Sequence, residues 1–285
     1  MVKREDRGFS MVVYVLLGLI GVVALFPILY VFSASITPYS EVLKNGGFVI
    51  IPTKLTFGGY RQLFEQASIP QALRINLFIT VVGTLINMVL TTLMAYPLSR
   101  RDLPGRGFLM FTVIFTFIFT GGIIPTYLVV KSTGLMNSVW ALIVPNAIWS
   151  YNVLIMKSFF DQLPGEIYES ARMDGAGEWR MLWQITVPLS VPVMLTLSMF
   201  YAVGHWNEFF QAMMYITDRS LMPLQVVVRD ILNQAASSDA SGPDMVPTLT
   251  LQMAAVMLAS FPIIAIYPFI QRYFTKGMLL GSVKG

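Results

Sequence analysis

Long runs of apolar residues constrain this chain more than any other feature of its sequence. A helix that crosses roughly 30 Å of hydrocarbon needs about 20 mostly apolar residues. Six segments meet this requirement, and each is predicted to be one membrane crossing: Met11–Ile36, Ile75–Leu98, Phe108–Val130, Val139–Met156, Val187–Trp206 and Leu249–Ile270. Because these runs are too long for the strands of a barrel, the sequence predicts an all-α integral membrane protein with six transmembrane helices.

The composition agrees with this class and narrows the chemistry. Apolar residues make up 55% of the chain and charged residues only 12%, unlike a soluble domain. The chain has no cysteine, and His205 is its only histidine, so disulfides, thiolate ligands and paired-histidine zinc sites are excluded. It also lacks a P-loop and a Gly-x-Ser-x-Gly elbow. We therefore predict no catalytic residue, no metal and no cofactor on this chain.

The basic residues are distributed unevenly between the predicted loops. The loop between the second and third crossings contains Arg100, Arg101 and Arg106, whereas Lys131 is the only basic residue between the third and fourth. Since cytoplasmic loops are enriched in Lys and Arg, both termini are predicted to be cytoplasmic. This asymmetry accounts for the net charge of +4 without a nucleic-acid partner. With no hydrophilic insertion, residues 1–285 are predicted to form a single transmembrane domain.

The loop of residues 161–188 is the longest predicted cytoplasmic loop, and its pattern indicates two short helices. Pro164 suits the start of a helix, and Glu166 favours the positive end of the helix dipole. Gly175 and Gly177 are expected to end that helix. Apolar residues at i, i+3 and i+4 spacing then follow: Trp179, Leu182 and Trp183. Taken alone, this pattern fits a solvated connector as well as a surface that contacts another protein.

The same loop resembles the Glu-Ala-Ala loop of permease subunits of binding-protein-dependent ABC importers. Seven positions carry the resemblance: Glu169, Ala171, Asp174, Gly175, Ala176, Ile185 and Pro188. Ser170 replaces the usual middle alanine, and Val187 replaces the usual leucine. The resemblance implies a type I ABC importer permease fold, with coupling helices between the fourth and fifth crossings. It also implies that these seven residues form the element that couples the chain to an ATP-binding subunit.

The resemblance further implies a role for individual residues of the loop. Gly175 would allow close approach of the partner's surface, because a Cβ atom would hold the two surfaces apart. Glu169 would meet a basic group of the partner, and Asp174 would cap the second helix. The apolar face would hold the loop on the membrane helices of its own chain through Trp179, Leu182 and Trp183. ATP-driven closure of the partner would then produce alternating access.

Two further segments resemble carbohydrate-uptake permeases and imply the substrate and the assembly. Residues 204–209 resemble their Trp-Asn-Glu-Phe stretch, and residues 119–128 resemble the branch that handles oligosaccharides and polysaccharide fragments. The implied substrate is a sugar, with a uronate-type fragment such as alginate as one candidate. The implied partners are a second, related permease subunit, two ATP-binding subunits that hold ATP-Mg, and an external sugar-binding protein. The implied location is the lipid bilayer of the bacterial cytoplasmic membrane.

Polar and aromatic residues in the apolar segments are candidates for the substrate pathway. Polar groups in a bilayer are costly unless they pair or line water. Asn87, Asn152 and His205 are expected to have structural roles, the two amides by pairing between helices. The predicted pathway combines aromatic faces for sugar rings with polar groups for hydroxyls: Tyr151, Trp206, Asn207 and Glu208. Placement at the membrane interface is the alternative for these four residues.

Two other classes of function stay open at this point. An intramembrane enzyme acting on lipid-linked sugar would be active as the purified chain alone. An ion-coupled secondary carrier would need charged residues within its crossings, which are almost free of charge here. Uptake by such a carrier would survive depletion of ATP.

Overall fold

The computed structural model describes residues 6–65, 68–237 and 249–282, which contain no β-strand. The predicted all-α class is therefore confirmed. The α-helices follow in chain order: α1 (Asp6–Ser35), α2 (Tyr39–Lys44), α3 (Gly58–Glu65), α4 (Ser68–Ser99), α5 (Arg106–Ile118), α6 (Ile123–Ser132), α7 (Trp140–Ile143), α8 (Ser150–Asp161), α9 (Gly165–Met173), α10 (Glu178–Met181), α11 (Val187–Leu189), α12 (Val191–Trp206), α13 (Phe210–Tyr215), α14 (Leu224–Ser237) and α15 (Leu249–Ser282). A π-helical turn, Leu182–Thr186, joins α10 to α11, and a 3-10 turn, Arg219–Leu221, precedes α14.

Three of the described helices are long and apolar enough to cross a membrane without a break. They correspond to the first, second and sixth predicted crossings: Gly8–Ser35, Ser68–Ser99 and Leu249–Pro268. A continuous helix suits this environment because it satisfies every backbone N–H and C=O internally, where no water is present to do so. Pro97 lies in the last turn of α4 and therefore leaves most of the helix undisturbed.

The third and fifth predicted crossings are bent rather than straight. The axis turns by 114° between α5 and α6, close to Gly122, whose φ of +84° is accessible to glycine at little cost. It turns by 82° between α11 and α12 at Ser190, which lies between Pro188 and Pro192. Proline removes a backbone donor and so favours a break there. If each bent pair is one crossing, the described residues supply up to five.

The fourth predicted crossing, Val139–Met156, does not form one continuous helix. Helix α7 spans four residues, and a non-helical segment that includes Pro145 separates it from α8. Three of the four residues of α7 are nevertheless buried in a core: Ala141, Leu142 and Ile143. The prediction of a single helix was wrong here because an apolar run does not distinguish a membrane crossing from buried core.

Contacts divide the chain into two compact units, of which the first contains Met1–Pro70 and Val227–Pro262. Within this unit the Tyr30 hydroxyl donates to the Gly47 carbonyl at 2.9 Å, and its ring stacks on Phe48. The Thr250 hydroxyl donates to the Thr37 carbonyl at 2.9 Å. None of the apolar window of α1 is buried within the chain. That exposure suits a helix surrounded by lipid or by another subunit.

The second unit contains Gln71–Val226 and Ile263–Gly285 and has two apolar clusters. One cluster brings together side chains of α4, α8 and α12, including Met156, Leu197 and Tyr201, all fully buried. The other lies around α7 and α13 and includes Leu142 and Tyr215. Residues 161–188 belong to this unit and continue directly from α8.

Candidate functional site

The 161–188 loop folds as the predicted helix, glycine turn and second helix. Helix α9 begins after Pro164 and ends at Met173. Gly175 then takes a φ of +77°, a left-handed conformation that favours glycine. Its N–H donates to the Arg172 carbonyl, and the Ala176 N–H donates to the Ala171 carbonyl at 2.9 Å. These bonds satisfy carbonyls that the end of α9 would otherwise leave unpaired.

One predicted capping role is wrong. Helix α10 has Gly177 at its N-cap and no side-chain cap bond, whereas Asp174 occupies the C-cap position of α9. Asp174 is too far from the first turn of α10 along the chain to accept its N–H groups in the usual capping geometry. Its carboxylate is exposed at the turn instead.

An internal hydrogen bond stabilises the shape of the loop, whereas its two tryptophans are exposed. The buried Tyr168 hydroxyl hydrogen-bonds to the Thr186 hydroxyl at 2.9 Å and so ties α9 to the π-helical turn. Leu182 is buried as predicted, but Trp179 is 67% exposed and Trp183 is also exposed. The prediction that both tryptophans pack on the membrane helices was therefore wrong. The spacing defined an apolar face without fixing what it contacts.

The seven residues of the resemblance divide between an exposed and a half-buried set. The exposed set is Glu169, Asp174, Gly175 and Pro188, and the half-buried set is Ala171, Ala176 and Ile185. A Cβ atom added at Gly175 would meet nothing within 4 Å. Close by, Met173 is 89% exposed. Exposed large apolar side chains beside an open glycine turn are typical of a surface that another protein covers.

Ion pairs connect the loop to the end of α4 and to the segment after it. The carboxylate of Glu178 accepts from the Tyr96 hydroxyl at 2.7 Å and from the Arg172 guanidinium at 3.0 Å. The Arg172 guanidinium also lies 3.5 Å from the Asp102 carboxylate. The hydrogen bond to Glu178 raises the pKa of Arg172 above its ordinary value. Sequence reasoning missed this group, because its members are distant along the chain.

A cavity of about 380 Å³ adjoins these ion pairs and is mostly apolar. Its lining includes residues of α4, of the following segment and of α10: Tyr96, Arg100, Leu103, Pro104, Glu178 and Trp179. The loop therefore does not close completely over the end of α4. Among the described residues, no group of three or more His, Asp or Glu side chains is arranged to hold a metal ion.

The residues of the predicted substrate pathway differ in their exposure and in their contacts. Trp206 is buried, and its carbonyl accepts from the Asn76 amide at 3.3 Å. Asn207 follows as the C-cap of α12 and donates to the Val203 carbonyl at 2.9 Å. Tyr151 is exposed and stacks on Phe117 of α5. The bond of Asn207 to its own helix indicates a capping role for its side chain.

A chain of hydrogen bonds connects four elements of this unit. The His205 Nε2 atom lies 2.8 Å from Asn87 Oδ1, and the Asn87 amide donates to the Asn146 carbonyl. The Asn146 amide donates to Gln211 Oε1, and the Gln211 N–H donates to Glu208 Oε1 at 3.2 Å. Burial raises the pKa of Glu208, which lies beyond the end of α12. The predicted interhelical pairing of Asn87 is confirmed, and His205 is its partner.

Two glycines allow close packing in this unit. An added Cβ at Gly83 would lie 2.5 Å from His205 Nε2, and one at Gly204 would lie 2.5 Å from the Trp149 ring. Asn152 is buried too, but its amide has no hydrogen-bond partner among the described residues. The pairing predicted for Asn152 is therefore not formed.

The chain is similar to known proteins over almost its whole length. Residues 88–280 match the family described as binding-protein-dependent transport system inner membrane component. The polygalacturonan/rhamnogalacturonan transport system permease protein YtcP of Bacillus subtilis (strain 168) is 42% identical, over 99% of this chain and 100% of its own length. Protein LplC of the same organism is also 42% identical, over 99% of this chain and 97% of its own length. A solved bacterial ABC transporter involved in the import of the acidic polysaccharide alginate contains a chain with a TM-score of 0.88 and 28% identity, over 96% of this chain and 99% of that chain.

Proposed function

Because the chain belongs to the family of binding-protein-dependent transport system inner membrane components, we propose that it is a permease subunit that uses the 161–188 loop to couple ATP hydrolysis on a partner to sugar import. Members of this family are non-catalytic membrane subunits of ABC transporters. Because the chain belongs to this family, the ABC permease function is favoured over the two alternatives that the sequence left open. These were an intramembrane enzyme and an ion-coupled secondary carrier. The observation that carries the proposal is the open, exposed glycine turn of the loop, beside uncovered apolar side chains.

The proposed topology has six crossings and a cytoplasmic 161–188 loop. Helices α1, α4 and α15 supply three crossings, and the bent pairs around Gly122 and Ser190 supply two. The sixth is formed by the interrupted segment of α7 and α8. Both termini lie in the cytoplasm in this proposal, although residues 1–5 and 283–285 lie outside the described ranges. The crossings act together as one transmembrane domain of the type I importer permease fold, in the bacterial cytoplasmic membrane.

The proposed contact on the loop is complementary to a cleft in an ATP-binding subunit. Glu169 is exposed on α9 and would meet a basic group of that subunit. The Met173 and Trp179 side chains would fill apolar parts of the cleft, where burial contributes about 25 cal/mol per Å² of apolar surface. Gly175 leaves the middle of this surface free of side-chain atoms. When the ATP-binding subunit closes around ATP, it would push on this loop. The hydrogen bonds within the loop would keep its shape during that movement.

The full assembly that we propose contains four kinds of chain. A second, related permease subunit would pair with this one, two ATP-binding subunits would hold ATP-Mg, and an external sugar-binding protein would deliver the substrate. The family description itself names dependence on a binding protein. The uncovered apolar surface of α1 is available to lipid and to the second permease subunit.

The proposed substrate is an oligosaccharide or polysaccharide fragment of the uronate type. Two proteins to which this chain is similar have names that refer to acidic polysaccharides, polygalacturonan and alginate. On this chain we propose Tyr151, Trp206, Asn207 and Glu208 as residues near the path of the sugar. Tyr151 is the strongest of the four, because its exposed ring can stack on the apolar side of a sugar ring.

The test replaces the glycine of the turn in the reconstituted complex. Gly175→Trp is expected to abolish sugar-stimulated ATP hydrolysis, because its side chain would stand where the partner approaches. Asparagine tolerates the left-handed backbone of this position. If Gly175→Asn also loses stimulated hydrolysis, the added side chain at the contact surface, and not backbone strain, is the cause of the loss. Gly165→Trp is the matched control, since a Cβ atom at Gly165 also meets nothing within 4 Å. Normal stimulated hydrolysis by an assembled Gly175→Trp complex would refute the proposal.

A further inference from the structure

Arg100 occupies an unusual position between the end of α4 and the 161–188 loop. Its guanidinium carbon lies 4.4 Å from the centre of the Tyr96 ring and 3.8 Å from the centre of the Tyr168 ring. Tyr96 belongs to the last turns of α4, and Tyr168 is the buried tyrosine of α9. The side chain of Arg100 is only 16% exposed. We call these three residues the arginine clamp.

The clamp is held by ring faces and charge rather than by hydrogen bonds. The Arg100 Nε and Nη2 atoms are buried and have no hydrogen-bond partner among the described residues. The Nε atom lies 4.0 Å from the Glu178 carboxylate, at the limit of an ion pair. A guanidinium is flat and weakly hydrated, so it can stack between two rings where an ammonium group cannot. Such a contact between a cation and aromatic faces is strongest when it is shielded from water.

The clamp connects two elements that the proposed function requires to move together. Helix α4 is one of the three unbroken candidate crossings, and α9 carries Glu169 and leads into the Gly175 turn. The Tyr168 hydroxyl holds α9 to the π-helical turn, and the Tyr96 hydroxyl holds α10 through Glu178. Arg100 lies between these two contacts. Without it, the loop would keep its own internal bonds but would lose the cation that joins it to α4.

We infer that Arg100 is a positioning residue that transmits movement of the 161–188 loop to α4. This inference rests on the proposed coupling function and adds to it the route by which force enters the membrane helices. The two ring faces fix the orientation of α9 relative to α4, so a push on the loop displaces α4 instead of bending the connection. Without the clamp, the complex would still assemble in the membrane and hydrolyse ATP, but less sugar would be transported for each ATP hydrolysed.

The test compares four variants in the complete reconstituted complex with its sugar-binding protein. Arg100→Met and Tyr168→Leu remove the cation and one ring. Tyr168→Phe keeps the ring and loses only its hydroxyl. Arg101→Met removes a neighbouring exposed arginine and is the matched control. The measured quantities are basal hydrolysis, hydrolysis stimulated by the sugar-loaded binding protein, and sugar transported per ATP hydrolysed.

The expected result is a loss of coupling without a loss of assembly. In Arg100→Met and Tyr168→Leu, transport per ATP should fall between about twofold and 30-fold, the range found when a residue of a coupling network is changed. Basal hydrolysis should stay unchanged. Tyr168→Phe, which keeps the ring face, should retain more transport per ATP than Tyr168→Leu, and Arg101→Met should behave as the wild type. The chain has no cysteine, so spin labels at Arg101→Cys and Glu166→Cys can report the orientation of the loop. Arg100→Met should broaden the distance distribution between these labels.

Several results would overturn the inference. If Arg100→Met keeps normal transport per ATP while Gly175→Trp loses it, the loop couples ATP hydrolysis to transport but the clamp does not transmit its movement to α4. If both variants are normal, the proposed function itself fails. If Arg100→Met does not assemble, Arg100→Lys decides the question, because it keeps the charge and loses the stacking plane. Full coupling in Arg100→Lys would contradict a role for the clamp.

Discussion

Replacing Gly83 with alanine tests the close packing of α4 against His205 of α12. The new Cβ atom would lie 2.5 Å from His205 Nε2 and less than 3 Å from two further atoms of the same ring. No ordinary contact is that short, so the imidazole or one of the helices must move. The His205–Asn87 hydrogen bond of 2.8 Å would then be lost or stretched.

The magnitude follows from three contributions. Overpacking of a tight core costs about 1–3 kcal/mol. Loss of a hydrogen bond between membrane helices costs about 0.6 kcal/mol on average. Alanine recovers about 1 kcal/mol through its greater helix propensity. The free energy of unfolding should therefore fall by about 0.6–2.6 kcal/mol.

The assay is unfolding of the purified protein in detergent, followed by a fluorescent reporter of tertiary structure. Gly107→Ala is the control, because an added Cβ atom there meets nothing within 4 Å. The control should be as stable as the wild type or slightly more stable. In a protein that already carries His205→Ala, Gly83→Ala should lower the free energy of unfolding by less than it does in the wild type. The coupling energy between the two substitutions should be about 0.5–3 kcal/mol. Unchanged stability of Gly83→Ala, or strictly additive losses in the double variant, would refute this packing.

Two further predictions concern other parts of the second unit. Tyr201→Phe removes a hydroxyl that lies 2.7 Å from the Thr91 hydroxyl and accepts a hydrogen bond from the backbone N–H of Trp149. We expect the free energy of unfolding to fall by about 1–3 kcal/mol. Tyr14→Phe, at an exposed position of α1, is the control and should have no effect. Tyr151→Ala should raise the sugar concentration needed for half-maximal transport while basal ATP hydrolysis is unchanged, with Tyr151→Phe close to the wild type. Equal transport by Tyr151→Ala and the wild type would remove Tyr151 from the proposed pathway.

Run length and turn residues were enough to predict much of the fold. The three unbroken crossings follow from long apolar runs, because such a run has few alternatives to a membrane helix. In the 161–188 loop, Pro164 and Gly175 marked the helix start and the turn, since each restricts the backbone locally. These local signals do not depend on the rest of the molecule.

Features that depend on tertiary packing were not predictable in this way. Two examples are the interruption at Pro145 and the 114° bend near Gly122. Predicting either one requires knowing which neighbouring residues pack against the broken helix. Trp179 was assigned to the wrong environment because spacing defines a face and not its partner. Arg100 and Tyr168 are distant in sequence, and no local pattern indicates that a cation lies between two rings.

The central claim is that the glycine turn after α9 enters an ATP-binding subunit, and chemical cross-linking tests it most directly. Since the chain has no cysteine, Met173→Cys introduces a single thiol at the exposed tip of α9, and Thr133→Cys supplies a control at the exposed end of α6. A bifunctional reagent applied to the intact complex should join position 173, and not position 133, to the ATP-binding subunit. Absence of that product at position 173, or reaction of this thiol with a reagent confined to the outside of the cell, would contradict the account.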